Sequence, residues 1–118
     1  MRLTDQLGRY GERIAAQLLL DTGLHILDRN WRCPRGEIDI VAAAGGTLVI
    51  CEVKTRSGVR FGEPAEAVGR AKSARLRLLA AQWLSEHPGN WSEIRFDVIS
   101  VLRGPSGPAQ VRHLRGAF

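Results

Sequence analysis

Residues 36–54, Gly-Glu-Ile-Asp-Ile-Val-Ala-Ala-Ala-Gly-Gly-Thr-Leu-Val-Ile-Cys-Glu-Val-Lys, constrain the fold more than any other stretch. Ile38, Ile40 and Val41 precede Gly45-Gly46, and Leu48, Val49, Ile50 and Val53 follow it. The favoured two-residue hairpin turns need positive φ, which glycine adopts freely, so this pattern predicts two antiparallel strands and a tight turn. A two-residue turn sets Asp39 opposite Glu52 and Glu37 opposite Lys54. Period-two alternation then gathers these four side chains on one face, with Ile38, Ile40, Cys51 and Val53 on the other. Directly opposed Cβ atoms lie about 4.5–5.5 Å apart, where like charges destabilise a sheet. A divalent cation between Asp39 and Glu52 would remove that repulsion, because hard cations take carboxylate oxygens. Lys54 would place a fixed positive charge beside it. The same pattern also fits an ordinary amphipathic hairpin with its polar face in water, and a bulge would shift the pairing by one residue.

At 118 residues and 13.0 kDa the chain is sized for one domain with a single core. Residues 103–118 read as a turn and C-terminal tail. No apolar run approaches the roughly 20 residues of a membrane span, and the N-terminus lacks a signal-peptide core. The expectation is a cytoplasmic protein with no membrane partner. Cys33 and Cys51 make no metal-ligand spacing with each other or with His25, His87 and His113, which argues against zinc. Cys51 reads as a small core residue and Cys33 as a free thiol.

A net charge of +5 and a pI near 10.2 point to a polyanionic partner, nucleic acid before membrane. Nearly every basic side chain is Arg; the only lysines are Lys54 and Lys72. In such a chain a retained Lys suggests a position that needs a compact ammonium.

The chain opens with a predicted helix from Thr4, its N-cap, to Asp21, ended by Gly23. Leu7, Tyr10, Ile14, Ala15 and Leu18 form its apolar stripe. Gly8 and Gly11 weaken it, and serve either close approach of another group or fraying of the first turns. Glu12 lies at the edge of the apolar sector, where helix geometry alone favours solvent over a cleft. Leu24 to Asn30 reads as a strand and Trp31 to Gly36 as a turn. After the hairpin, Arg56 to Pro64 reads as an Arg-rich loop. A second helix runs from Ala65 or Ala67 to Glu86, with Val68, Leu76, Leu79, Ala80 and Trp83 on its buried stripe. Lys72 falls in that stripe, so it either snorkels toward a polar pocket or marks where the core runs out. Arg70, Arg75 and Arg77 read as a solvated basic surface. Arg95 to Leu102 is a last main strand, joined to the others by a crossover. Its Asp97 is expected to pair with a neighbouring Arg and is assigned no catalytic part. Val111 to Phe118 reads as a tail or a short edge strand.

The order helix, three-stranded meander, helix, strand, with Glu12, Gly36-x-x-Asp39 and Glu52-x-Lys54, resembles the PD-(D/E)xK nuclease superfamily. Within it the chain is similar to the bacterial YraN family, which resembles the archaeal Holliday-junction resolvases in fold. Further matching stretches are Asn30-Trp31-Arg32, Phe61-Gly62, Glu66-Ala67-Val68, Lys72, Arg95-Phe-Asp97 and Ala117-Phe118. The resemblance implies an α/β fold with a restriction-endonuclease-like αβββαβ core, a mixed sheet flanked by helices. It implies a catalytic set of Glu12, Asp39, Glu52 and Lys54, with Asp39 and Glu52 as ligands to Mg²⁺ or Mn²⁺, helped by the Val53 carbonyl. Ile38 stands where the superfamily has Pro.

On this reading Glu37 either orients Lys54 or contributes a ligand. Arg32, Arg35, Arg56, Arg60 and Lys72 would hold a nucleic-acid backbone, DNA above all. The expected function is a metal-dependent endonuclease on branched or structured DNA. The alternatives are a nucleic-acid-binding module with little or no turnover, and a scaffold whose charged face pairs internally. A symmetric homodimer is implied by the resemblance alone.

Overall fold

The computed structural model describes residues 3–58 and 69–118, apart from the side chains of Leu3 and Thr4. It is a mixed α/β architecture: a five-stranded sheet in the order β1-β2-β3-β4-β5, with one helix against each face.

Helix α1 spans Leu3–Asp21. The expected Thr4 cap lies outside the described side chains. Its C-terminus closes on Gly23 at φ 92, with Leu24 N donating to Leu19 O and Gly23 N to Leu20 O, each at 3.0 Å. This is the Schellman arrangement, which needs a left-handed residue that glycine supplies most cheaply. Leu19 and Leu24 are buried in one cluster with Ala15, Ala16, Ile40, Val49, Cys51, Ile99 and Val101.

Strand β1 spans His25–Cys33, with an irregularity at Leu27, and pairs antiparallel with β2, Gly36–Ala44. Residues 31–33 therefore continue the strand where a turn was expected, and the reversal shrinks to Pro34-Arg35. Trp31 and Cys33 alternate onto the core beneath helix α2, Arg70–Glu86, which gives the strand reason to continue.

The hairpin from β2 to β3, Thr47–Ser57, has the predicted register from Ala44↔Thr47 to Ile40↔Cys51. Only Gly45 of the turn pair takes positive φ, at 58, the pattern of a type II′ turn. Beyond Ile40↔Cys51 the ladder stops. Strand β2 continues with β1 as far as Gly36, while β3 continues, parallel, with β4, Glu93–Arg103, as far as Ser57. The sheet thus forks. Arg56, expected in a loop, lies on β3 because pairing to β4 carries the strand past Lys54.

Helix α2 buries Leu76, Leu79, Ala80 and Trp83 against Ile38, Val41, Leu48, Ile50 and Phe96. Its expected start and Val68 lie outside the described residues. Trp83 Nε1 donates to Asp28 Oδ2 at 3.0 Å, tying α2 to β1. The parallel pairing of β3 and β4 requires the expected crossover. Strand β5, Gln110–Leu114, closes the sheet antiparallel to β4.

Asp97 is fully buried. Arg95 donates to both its oxygens at 2.9 Å, His113 Nε2 to Oδ2 at 2.7 Å and Gly116 N to Oδ1 at 3.0 Å. Burial alone would raise its carboxyl, but the bonds from His113, Arg95 and Gly116 hold it at about 2. The expected pairing with Arg is thus one part of a clamp that fastens β5 and the tail to β4. Among the described residues no helix is long and apolar enough to cross a membrane.

Candidate functional site

The fork is where the acidic residues meet. Asp39 is the first residue of β2 past the last ladder pair, and its Oδ2 accepts the Val53 backbone N–H at 2.8 Å. A side-chain oxygen thereby replaces the main-chain acceptor that a continuing strand would offer, so β3 is satisfied while β2 turns away. The expected opposition of Asp39 to Glu52 and Glu37 to Lys54 is therefore absent from the ladder. Nor do the four apolar residues share a face: Ile38 packs under α2, whereas Ile40, Cys51 and Val53 pack on the α1 side. The change of facing between Ile38 and Ile40 leaves Asp39 in the opening.

A cleft of about 340 Å³ occupies that opening, lined by Glu12, Glu37, Asp39 and Glu52 with Leu7, Gly8, Val53 and Thr55. Glu12 lies on its wall, not out in solvent as helix geometry alone favoured. The cause is Gly11, whose missing Cβ lets α1 settle on β3: a methyl there would overlap the Thr55 hydroxyl and lie 2.8 Å from Thr55 Cβ. Gly8 faces open space on the same wall.

Burial pushes the Asp39 carboxyl up to about 7, and the neighbouring charges of Glu52, Glu12 and Glu37 push the same way. The hydrogen bond from Val53 opposes them without prevailing. Such a group gains from any cation brought beside it. One is already near: Lys72 Nζ lies 3.1 Å from Glu52 Oε1. Lys72 thus extends the α2 stripe toward the fork, its side chain 45% exposed against 12% for Glu52.

The other expected residues are more scattered. Lys54, partly buried, is paired in the ladder with Ser100 of β4 and is not among the residues lining the cleft. Arg32 reaches across the β1–β2 hairpin to Glu37, Nε to Oε2 at 3.0 Å, an exposed pair that engages one oxygen of the carboxylate. Arg35 sits in the hairpin turn, in a hollow beside Cys33 and Pro34 that also takes in Arg32 and Glu37. Arg56 is exposed near the end of β3, and Arg60 lies outside the described residues. Thr55, a wall of the cleft, was not singled out from sequence; Gly11, three residues from Gly8, was the available signal.

The family described as "Uncharacterised protein family UPF0102" matches residues 11–101. The chain is 59% identical over 118 residues to a UPF0102 protein of Frankia alni, covering 100% of this chain and 98% of that one. It is 57% identical over 116 residues to a UPF0102 protein of Beutenbergia cavernae, covering 98% of each. Against a UPF0102 protein of Rhodococcus opacus the identity is 49% over 112 residues, 95% of each chain.

Proposed function

The chain belongs to the uncharacterised protein family UPF0102, and from that premise we propose that it is a metal-dependent endonuclease hydrolysing DNA phosphodiesters, on branched or structured DNA. The order helix, three strands, helix, strand supports a restriction-endonuclease-like core of the PD-(D/E)xK superfamily, with the YraN family as its branch. One observation carries the reading. Asp39 and Glu52 line the same cleft at the fork, with Asp39 held near 7 by its burial and by the acids around it.

The donor set suits Mg²⁺ or Mn²⁺. Among the described residues no three Asp, Glu, His or Cys side chains form a ready cage. Mg²⁺ does not require one, since it keeps several waters and takes one or two carboxylates. Asp39 and Glu52 would hold it. When bound, the ion supplies charge neutralisation at the phosphodiester and makes water easier to deprotonate.

The chain's own residues supply the rest. Glu12 on the cleft wall accepts a hydrogen bond from the attacking water and orients it. Lys54, outside the cleft lining, is assigned that water or a phosphoryl oxygen from its place in the Glu52-x-Lys54 motif, and the Lys72 ammonium steadies charge on the phosphate beside Glu52. Glu37, with Oε2 in an exposed pair with Arg32, either orients Lys54 or contributes a ligand.

A binding module with little turnover is the second reading, favoured by the Lys72 ammonium already resting on Glu52. Branched, flapped, single-stranded and double-stranded DNAs incubated with Mg²⁺ or Mn²⁺ separate the two. The nuclease reading expects cutting by the wild type, loss of cutting in Glu52→Ala, and an Asp39→Asn variant that binds without cutting. It fails if the wild type leaves every substrate intact with both ions, or if Glu52→Ala cuts equally well.

A further inference from the structure

Two depressions continue from the fork cleft along the seam between α1 and β1. The first, of about 540 Å³, shares Gly8, Glu12 and Glu37 with the cleft and adds Arg9, Asn30 and Arg32. The second, of about 500 Å³, shares Arg9, Glu12 and Asn30 with the first and adds Arg13 and Arg29. Asp5 and Gln6 complete the lining. Glu12 borders all three spaces, so they form one trench that begins among carboxylates and ends among guanidinium groups.

The trench is built by local geometry on both sides. Arg9 and Arg13 stand four residues apart on α1, the spacing that puts two side chains on one helix face. Arg29 and Arg32 are three apart on β1 and would point to opposite faces of a regular strand. Between them Asn30 takes φ 52, a left-handed conformation uncommon outside glycine. With that residue between them, Arg29 and Arg32 both reach the trench lining. Among the described residues, Arg9, Arg13 and Arg29 have no ion-pair partner, whereas Arg32 is held by Glu37.

Unpaired guanidinium groups present planar donor forks that match phosphate. Among the described residues no aromatic side chain lines the trench, so these residues offer no platform on which single-stranded bases stack. We infer that the α1–β1 trench binds the phosphate backbone of a nucleic-acid duplex, with Arg9, Arg13 and Arg29 on phosphates of the strand leading away from the fork. The substrate class rests on the nuclease reading; the arginine end of the trench is a subsite of its own and reads no bases.

The test is equilibrium binding of a fluorescein-labelled DNA duplex to the full chain in EDTA, over a series of salt concentrations. Arg9→Gln, Arg13→Gln and Arg29→Gln should each flatten the slope of log K against log salt by about 0.9. The loss should be equal for unrelated sequences, and greatest in the triple variant. Arg115→Gln, an exposed arginine beyond β5, should bind as the wild type. Unchanged circular dichroism and thermal midpoint show that the variants are folded. The inference is overturned if the triple variant keeps wild-type affinity and slope, if the loss depends on base sequence, or if the wild type binds no duplex. Cutting, assayed separately, distinguishes the two readings. A triple variant that binds and cuts as the wild type sinks the trench alone. A wild type that binds through these arginines yet never cuts with Mg²⁺ or Mn²⁺ sinks the nuclease alone.

Discussion

Lys72 Nζ lies 3.1 Å from Glu52 Oε1, so the one lysine of α2 rests on an acid at the mouth of the sheet's fork. The pair is open on one side only, with Lys72 45% exposed and Glu52 12%, so it counts for more than a surface pair and less than a buried one. Its consequence is competition: the ammonium occupies an oxygen that a divalent ion would use. Lys72→Met should therefore lower the thermal midpoint in EDTA modestly, because it leaves the largely buried Glu52 carboxylate without its cation. It should tighten apparent Mg²⁺ affinity, read from the midpoint as Mg²⁺ is titrated, by up to about tenfold. The same variant should bind DNA less tightly, because a phosphate contact is gone. An unaltered Mg²⁺ response would show that Lys72 and the ion do not share Glu52.

Asp39 makes the metal-free protein sensitive to pH. Its carboxyl is raised from 3.8 to about 7 by burial and then by Glu52, Glu12 and Glu37. The folded state therefore holds a proton that the unfolded chain has released, and the stability this provides is complete below 3.8 and lost as pH rises through about 7. In EDTA the wild type should lose stability between about pH 4 and 7, by an amount on the order of a few kcal/mol. Asp39→Asn should be flat across that window, since an amide oxygen can still accept from Val53 and carries no charge. Mg²⁺ should restore the wild type at pH 8 and do little at pH 5. A Mg²⁺ effect of equal size at both pH values would rule out Asp39 as the group concerned.

The register of the central hairpin was legible because turn length sets it, and five pairs from Ala44↔Thr47 to Ile40↔Cys51 follow that register. The end of the ladder was not legible. It depends on the Asp39 carboxylate taking the Val53 N–H, and a side chain standing in for a main-chain acceptor leaves no trace in hydrophobic periodicity. The same limit applies at Trp31 and Cys33. Pro34-Arg35-Gly36 carries turn chemistry, but only the core under α2 explains why the strand runs up to it. Lys72 was conspicuous as a charge within an apolar stripe, yet its partner across the fork was not readable from α2 alone. Glu12 was misplaced toward solvent for a related reason: its surroundings depend on how closely α1 approaches β3, which Gly11 decides.

The Asp97 clamp should fail in acid and be indifferent to metal. Burial opposes the charge, but His113, Arg95 and Gly116 hold the carboxyl at about 2. A lowered folded-state value means that its stabilisation is present above the ordinary 3.8 and lost as pH falls through about 2. Asp97→Asn should cost about 3 kcal/mol near neutral pH, because it leaves Arg95 and His113 without their shared anion. Urea unfolding of the variant should show that loss, with the same Mg²⁺-induced shift as the wild type. A variant that lost its Mg²⁺ response while still folded would tie the clamp to the cleft, against the separation of the two described here.

Two glycines one turn apart on α1 should respond oppositely to the same added methyl group. At Gly11 a Cβ would overlap the Thr55 hydroxyl and lie 2.8 Å from both Thr55 Cβ and Cγ2, so rotating Thr55 cannot relieve the clash. Gly11→Ala should force α1 off β3 and destabilise by about 1–3 kcal/mol, the usual range for overpacking. It should also displace Glu12, which follows it in the helix. At Gly8 a Cβ meets nothing within 4 Å, and the helix itself prefers Ala. Gly8→Ala should stabilise the protein by about 0.5–1 kcal/mol. Gly8 also lines both the fork cleft and the first part of the trench, so bulk there enters the passage between them. Gly8→Leu should thus keep or raise the thermal midpoint while weakening DNA binding. Stability and binding moving in opposite directions is the signature of a residue kept small for access. Loss of both together would mean that Gly8 serves packing instead.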